Sequence, residues 1–313
     1  LPRAMATAMG PALRDSFFAH AGRTTADVIG SLTQNRELAA VLSAQYGNYG
    51  TPPRESSFAV HAAVAGHFLE GAFFPVGGAG AIATALAPTI EAAGGAIFVG
   101  ADVETILVEG GVARGVRMTD GREVRAPVVV SDAGFASTFG RLVAREHVPP
   151  ELGAALAALR PSTGHVCLYL GFRASDDELA LSGTNLWIFR DEALDENHAR
   201  FLADPAAPLP FVYASFPSAK DPSFRERHPG RATVDVLTVA RWDWFAPWAA
   251  ARWRRRGADY DALKASFAER MLDVLLAKVP QLRGRVDALE LSTPVTTRHF
   301  TAHPRGEMCR LEI

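Results

Sequence analysis

The chain has 313 residues, 48% hydrophobic and 21% charged, a folded composition with length for one large domain or two ordinary ones. Its 32 basic residues against 34 acidic ones set up no net positive field, which excludes nucleic acid as a partner. Cys167 and Cys309 form no C-x-x-C, which fits a reducing compartment or a fold that does without disulfides.

No secretory signal grammar is present. A start at Leu1 and an end on "MCRLEI" give both ends an interrupted look, so a segment of a longer protein is expected. Residues 1–70 read mainly as helix. "TTADVIGSLTQNRELAAVLSAQYG" has a Thr start and apolar residues at Val28, Ile29, Leu32, Leu38, Val41 and Leu42, near a 3.6 period. "GNYGTPPRES" breaks it, and "SFAVHAAVAGHFLEG" is a second helix. Residues 71–90 carry no charge and are long enough to span a bilayer. Four glycines with Pro75 and Pro88 point instead to buried globular sequence.

From residue 77 the grammar changes. A glycine turn opens the helix "AIATALAPTIEAAGG", ended by Gly94 and Gly95. "AIFVGADV" reads as a strand. "TILVEGGVARGVRMTDGREVRA" reads as a three-strand meander, turning at Glu109–Gly110–Gly111 and Asp120–Gly121. "PVVVSDAG" reads as a strand covered on both faces. Further strands are expected in "GHVCLYLGF", "TNLWIFR", "PFVYASFPS" and "ATVDVLTVARWDW". The run "RWRRRG" reads as a solvated helix end rather than a phosphate site. The next helix, "DYDALKASFAERMLDVLLAKVPQL", aligns Leu263, Phe267, Met271, Val274, Leu275 and Val279. "ALELSTPVTTRHFTAHPRG" reads as a strand running into a turn.

Gly78, Gly80 and Ala83 fit the dinucleotide pattern G-x-G-x-x-G/A, with Asp102 near the place of a ribose-binding acid. Such a unit needs a hydrophobic strand directly before the glycines, and Pro75 interrupts the short run there. A meander also stands where a nicotinamide-binding domain would have its next helix. Two readings of the glycines stay open: close backbone approach to a cofactor, or a plain helix entry packed on a sheet.

The run "FFPVGGAGAIATALAPTIEAAGGAIFVGADVETILVEGGVARGVRMTDGREVRAPVVVSDAG" resembles the middle of the phytoene desaturase and carotenoid isomerase flavoenzymes. It shares their order Pro-x-Gly-Gly, helix, Gly-Gly, V-x-x-I-x-V, G-V, D-G and V-V-x-S-x-A. Outside it, "SLTQNRELAAVLSAQYGNYGTPP", "RWDWFAPWAAARWRRRGADYDALKASF" and "STPVTTRHFTAHPRG" are similar to the all-trans-retinol saturase branch.

The resemblance implies an α/β (mixed α+β) fold of the amine-oxidase-like flavoprotein type, its partial FAD-binding domain interleaved with a substrate domain. The implied division is a helical part of the substrate domain at 1–72, the partial FAD domain at 73–145, the substrate domain at 146–290, and a strand and turn returning to the flavin at 291–313. It implies an FAD-dependent oxidoreductase that desaturates, isomerises or saturates a hydrophobic polyene or isoprenoid. NAD(P) stays open as electron source or acceptor, and so does peripheral membrane contact of a cytoplasmic protein. The family's main pyrophosphate loop would precede Leu1, and its last flavin segment would follow Ile313. This piece alone is therefore expected to be inactive.

Residue by residue, Gly77 and Gly78 match the family's internal glycine turn, and Val103 its adenine-contacting valine. Ala133 and Gly134 match small residues beside the cofactor, and Arg305 and Gly306 its Pro-Arg-Gly turn near the flavin. "EMCRLE" departs from the branch, where a Tyr-Gly pair is expected. A non-catalytic lipid- or partner-binding module is the alternative, and a nicotinamide-dependent dehydrogenase a more distant one. Tyr46, Tyr49 and His303 are conceivable proton donors, but no catalytic residue is assigned. His299 and His303, read as strand and turn, make no metal site.

Overall fold

The computed structural model describes residues 11–159 and 162–307. Cys309 and most of "EMCRLE" lie outside them. Two units emerge, each assembled from separated stretches of chain. One comprises residues up to Phe74, Val166–Ala240 and Asp261–Leu291; the other comprises Pro75–His165, Arg241–Tyr260 and residues from Ser292 onward.

The first unit opens with helices α1 (Pro11–Ala21), α2 (Thr25–Leu32), α3 (Arg36–Ser43) and α4 (Phe58–Phe68). The single periodic run read across α2 and α3 is two helices. Asn35 side-chain oxygen accepts from the Leu38 N–H, a helix start that overrides the continuous period. Val28 and Ile29 are buried, but Leu32, Leu38, Val41 and Leu42 stay exposed.

A five-stranded sheet carries this unit, in the order β5-β6-β7-β4-β8. Its strands are β4 (Gly164–Phe172), β5 (Leu186–Phe189), β6 (Phe211–Ser215), β7 (Ala232–Ala240) and β8 (Val286–Ser292). β5 pairs antiparallel with β6, setting Trp187 opposite Tyr213 and Phe189 opposite Phe211; β6 pairs antiparallel with β7. In β7, Ala232, Val234, Val236 and Thr238 are buried while Thr233, Asp235 and Leu237 are half-buried, the alternation of a strand with one core face. Helices α7 (Leu194–Ala203) and α8 (Ala258–Lys278) complete the unit, Phe201 meeting Phe267 edge to face. Of the face that the sequence period predicts, Phe267, Met271 and Leu275 of α8 and Val279 just after it are buried, while Leu263 and Val274 are half-buried.

The second unit holds α5 (Gly80–Ala92), the strands β1 (Val103–Glu109), β2 (Val112–Met118) and β3 (Glu123–Arg125), then α6 (Pro150–Ala158) and α9 (Pro294–Thr301). The meander is as expected: β1-β2-β3, antiparallel, turning at Gly110–Gly111 and Gly121 with positive φ. Gly115 is required for its close pairing, because a Cβ there would overlap the Val124 carbonyl.

Three expectations fail in this unit. Residues 96–102 and 127–131 form no strand, and Val99 and Val130 are about nine-tenths exposed. An apolar run becomes a strand only when a neighbour satisfies its N–H and C=O rows, and among the described residues only the Thr119 N–H, on the Asp102 carbonyl, begins to do so. Residues 71–90 are not buried either: Ile82, Leu86 and Ile90 of α5 are exposed. The stretch after β8 is helix rather than strand, since Thr293 side-chain oxygen caps it and Pro294 occupies its first position.

Candidate functional site

In the second unit, the segment after residue 130 is tied at both ends. Ser131 Oγ and Thr138 Oγ1 lie 2.7 Å apart, and Thr105 Oγ1 of β1 donates to the Leu142 carbonyl at 2.9 Å. Gly134, at φ 87°, turns the chain into a short helix, Phe135–Ser137, and its carbonyl accepts from the Thr138 N–H. The turn after α9 is equally constrained. Buried Glu307 accepts the Arg305 N–H at 3.1 Å, its carbonyl lies 3.1 Å from the His303 ring, and it bridges to Gly164. Gly306, at φ 61°, packs so closely on the first turn of α9 that a Cβ would overlap the Pro294 carbonyl.

Between these two segments lies a cavity of about 160 Å³, lined among others by Ala133, Gly134, Phe135, Leu156, His303 and Arg305. A Cβ on Gly134 would meet no protein atom within 4 Å. Arg305 enters no ion pair among the described residues. One wall is thus small and apolar, and the other carries Arg305 beside the buried carboxylate of Glu307, which also lines the cavity. Four residues singled out in sequence, Ala133, Gly134, His303 and Arg305, come together from positions about 170 apart in the chain.

Gly77, Gly78, Val103 and Gly306 are not in that lining. Gly77 and Gly78 have φ 91° and 80° in the turn before α5, and α5 ends as expected at Gly94, φ 78°. Val103 is the first residue of β1, half-buried and paired with Met118. Gly306 shapes the Arg305 turn from behind.

The first unit contains a cavity that no motif announced, of about 420 Å³. Trp187 and Phe189 of β5 form one wall, Ala40, Val41 and Ala44 another, and Glu37, Asp191 and Glu192 also line it. The aromatic wall is braced. Tyr46 packs on Phe189, Phe211 and His198, and Gly47 is needed because a Cβ there would fall within the Trp187 ring. The signal available in sequence was the i, i+2 spacing of Trp187 and Phe189 on one strand face, together with a glycine after Tyr46.

Tyr46 is a core pillar rather than a proton donor: it is fully buried, and burial raises its pKa. Tyr49 Oη lies 2.9 Å from His61 Nδ1, and burial raises the tyrosine pKa and lowers that of the histidine. Among the described residues no cluster of metal-ligating side chains exists, and His299 instead stacks on Trp253.

The chain is 35% identical over 302 residues to the all-trans-retinol 13,14-reductase of Danio rerio, covering 94% of this chain and 50% of that protein. The chain is a homologue of the all-trans-retinol 13,14-reductases. An "inactive all-trans-retinol 13,14-reductase" of the same fish is 34% identical over 87% of the chain and 46% of its own length. The chloroplastic prolycopene isomerase of Arabidopsis thaliana is 28% identical over 74% of the chain and 36% of its own length. The chain thus spans about half the length of the curated retinol reductases it matches. No family model matches it. Among solved structures, an oxidoreductase from Methanosarcina mazei superposes with TM-score 0.60 at 19% identity, over 94% of this chain and 60% of that one. Putrescine oxidase superposes with TM-score 0.55 at 14% identity, over 91% and 56%. The expected mixed α/β, amine-oxidase-like fold is therefore the fold observed.

Proposed function

We propose that this chain is part of an FAD-dependent oxidoreductase acting on carbon–carbon bonds of a hydrophobic polyene. The observation that carries this reading is the convergence of Ala133, Gly134 and Arg305 on one cavity, in a homologue of retinol reductases. At about 160 Å³ the cavity admits part of a flavin dinucleotide, well below the roughly 300–1,000 Å³ of a whole-ligand site. The rest of the cradle falls to sequence beyond this half-length match. The residues fit that part: Gly134 leaves room where a side chain would intrude, and Phe135, Leu156 and Leu159 exclude water. Arg305 offers fixed positive charge to an anionic portion of the cofactor. The chemistry such a cofactor supplies when bound is hydride exchange with carbon. By family likeness Val103 is assigned to the adenine, Gly77 and Gly78 to the internal glycine turn, and Gly306 with Arg305 to the Pro-Arg-Gly turn near the flavin.

The polyene belongs with the first unit, where Trp187 and Phe189 offer a flat apolar wall. Nothing favours NAD(P): the meander stands where a nicotinamide fold would place a helix. The test is the intact protein. It is expected to purify yellow and release FAD on denaturation, and Arg305→Ala is expected to weaken FAD retention about 10- to 100-fold, the worth of a charged hydrogen bond. A colourless intact protein that still binds retinol would refute the reading and favour the non-catalytic module, for which an inactive relative is a precedent.

A further inference from the structure

The basic run that sequence reading set aside forms part of a surface. Residues 252–257 lead into α8, and the end of α9 lies against them. The Trp253 indole and the His299 ring stack in parallel, 1° and 4.9 Å apart, and Phe300 meets both edge-on at 5.0 and 4.9 Å. Phe300 is 68% exposed. Arg256 holds the loop in place: its guanidinium sits 5.2 Å from the Trp253 ring and 5.1 Å from the Tyr260 ring, and it donates to Tyr260 Oη. Tyr260 in turn lies 2.8 Å from Thr293 Oγ1, the cap of α9. Arg252, Arg254 and Arg255 are exposed and enter no ion pair among the described residues. Arg254 holds φ 59°, a conformation uncommon outside glycine, so the loop follows a course that local preference alone would not choose. Asp259 is the only acidic residue from 252 to 260.

We infer that this surface docks the protein onto an anionic lipid bilayer. The chain carries a formal charge of −2, so the attraction is local and would orient the molecule. Exposed aromatic rings flanked by arginines suit the headgroup layer, where the ring enters the interface and the cations meet lipid phosphates. Two other occupants fit less well. A nucleobase would have to displace His299 or Arg256 from the Trp253 ring. A second copy, packed about a two-fold axis, would set the unpaired arginines against themselves. This inference does not depend on the flavin reading, and flavin content measured on the same samples keeps the two separate.

The experiment is co-sedimentation of the intact protein with vesicles of phosphatidylcholine alone and with about one-third phosphatidylserine. Binding is expected only to the anionic vesicles, weakening as salt rises. The exposed triple variant Arg252→Glu/Arg254→Glu/Arg255→Glu is expected to lower the partition coefficient about 100-fold, and Phe300→Ser to lower it several-fold. Reversing Arg145, Arg200 and Arg283, exposed elsewhere, is expected to change it less than about 3-fold, with unaltered melting in every variant. The inference falls if the intact protein binds neither vesicle or binds both equally, or if the two triple variants weaken binding alike. It also falls if the patch variants change the mass in solution while vesicle binding persists, which would make the surface a contact between copies.

Discussion

Replacing Gly306 by alanine asks whether the turn that presents Arg305 is held by backbone packing or only by local preference. At φ 61° any residue with a Cβ pays about 1–2 kcal/mol. The added methyl would also occupy the position of the Pro294 carbonyl, in the first turn of a helix whose start is fixed by Thr293. Forcing such a contact open costs about 1–3 kcal/mol more. The total, roughly 2–5 kcal/mol, is a large share of the ~5–15 kcal/mol that holds a typical domain together. A melting temperature lower by roughly 4–20 °C is expected in a thermal scan. Gly284→Ala is the control, with φ 73° and nothing within 4 Å of the new methyl, so it should show only the backbone part. Gly134→Ala should melt lower than the control, because φ 87° with ψ 156° is open essentially to glycine alone, and should also lose flavin, because its methyl enters the cavity. Equal melting of Gly306→Ala and Gly284→Ala would refute the packing argument.

Further outcomes follow from the first unit. His198 is buried with no hydrogen-bond partner on Nδ1 among the described residues, and burial lowers its pKa to about 4. The unfolded chain takes up that proton near pH 6.5 and the folded chain does not. Stability from this residue is therefore complete above pH 6.5 and falls by an amount on the order of 3 kcal/mol as pH drops toward 4. Denaturant titrations of the wild type and His198→Phe should diverge over that window, and parallel curves would contradict the assignment. Gly47→Ala should displace Trp187, lowering near-ultraviolet dichroism and costing about 1–3 kcal/mol in the same titration. Met271→Ala, at a fully buried position, should cost about 2–5 kcal/mol, against less than about 0.5 for exposed Ser266→Ala.

What could be read in the sequence was what local chemistry decides. The meander was legible because glycine turns and short alternating strands specify one another, and α8 because its apolar period runs for five turns. Two runs of apparent strand were misread at 96–102 and 127–131, since a strand is a relation between segments and no ladder with a described residue forms along them beyond the single Thr119 N–H bond to the Asp102 carbonyl. The helix after β8 was missed although Thr293 and Pro294 spell its start, because the Pro-Arg-Gly turn beyond it drew the reading toward extended chain. At the site, Ala133, Gly134 and Arg305 were named from family likeness, but their meeting in one cavity is tertiary. The aromatic cavity was announced by no motif. Its location depends on Gly47 approaching Trp187 from another element, which no periodicity reveals.

The strand order β5-β6-β7-β4-β8 has a consequence for how the chain is made. β4 lies inside the sheet, yet it leaves the ribosome before either of its neighbours, β7 and β8. From Phe172 to Val286 is 286 − 172 = 114 residues, which at about 5–20 residues per second is a wait of roughly 6–23 s with one edge of an apolar strand open. Nascent chains of this protein should therefore engage holdase chaperones until translation passes β8, and a stall between those strands should yield aggregates rather than a folded half.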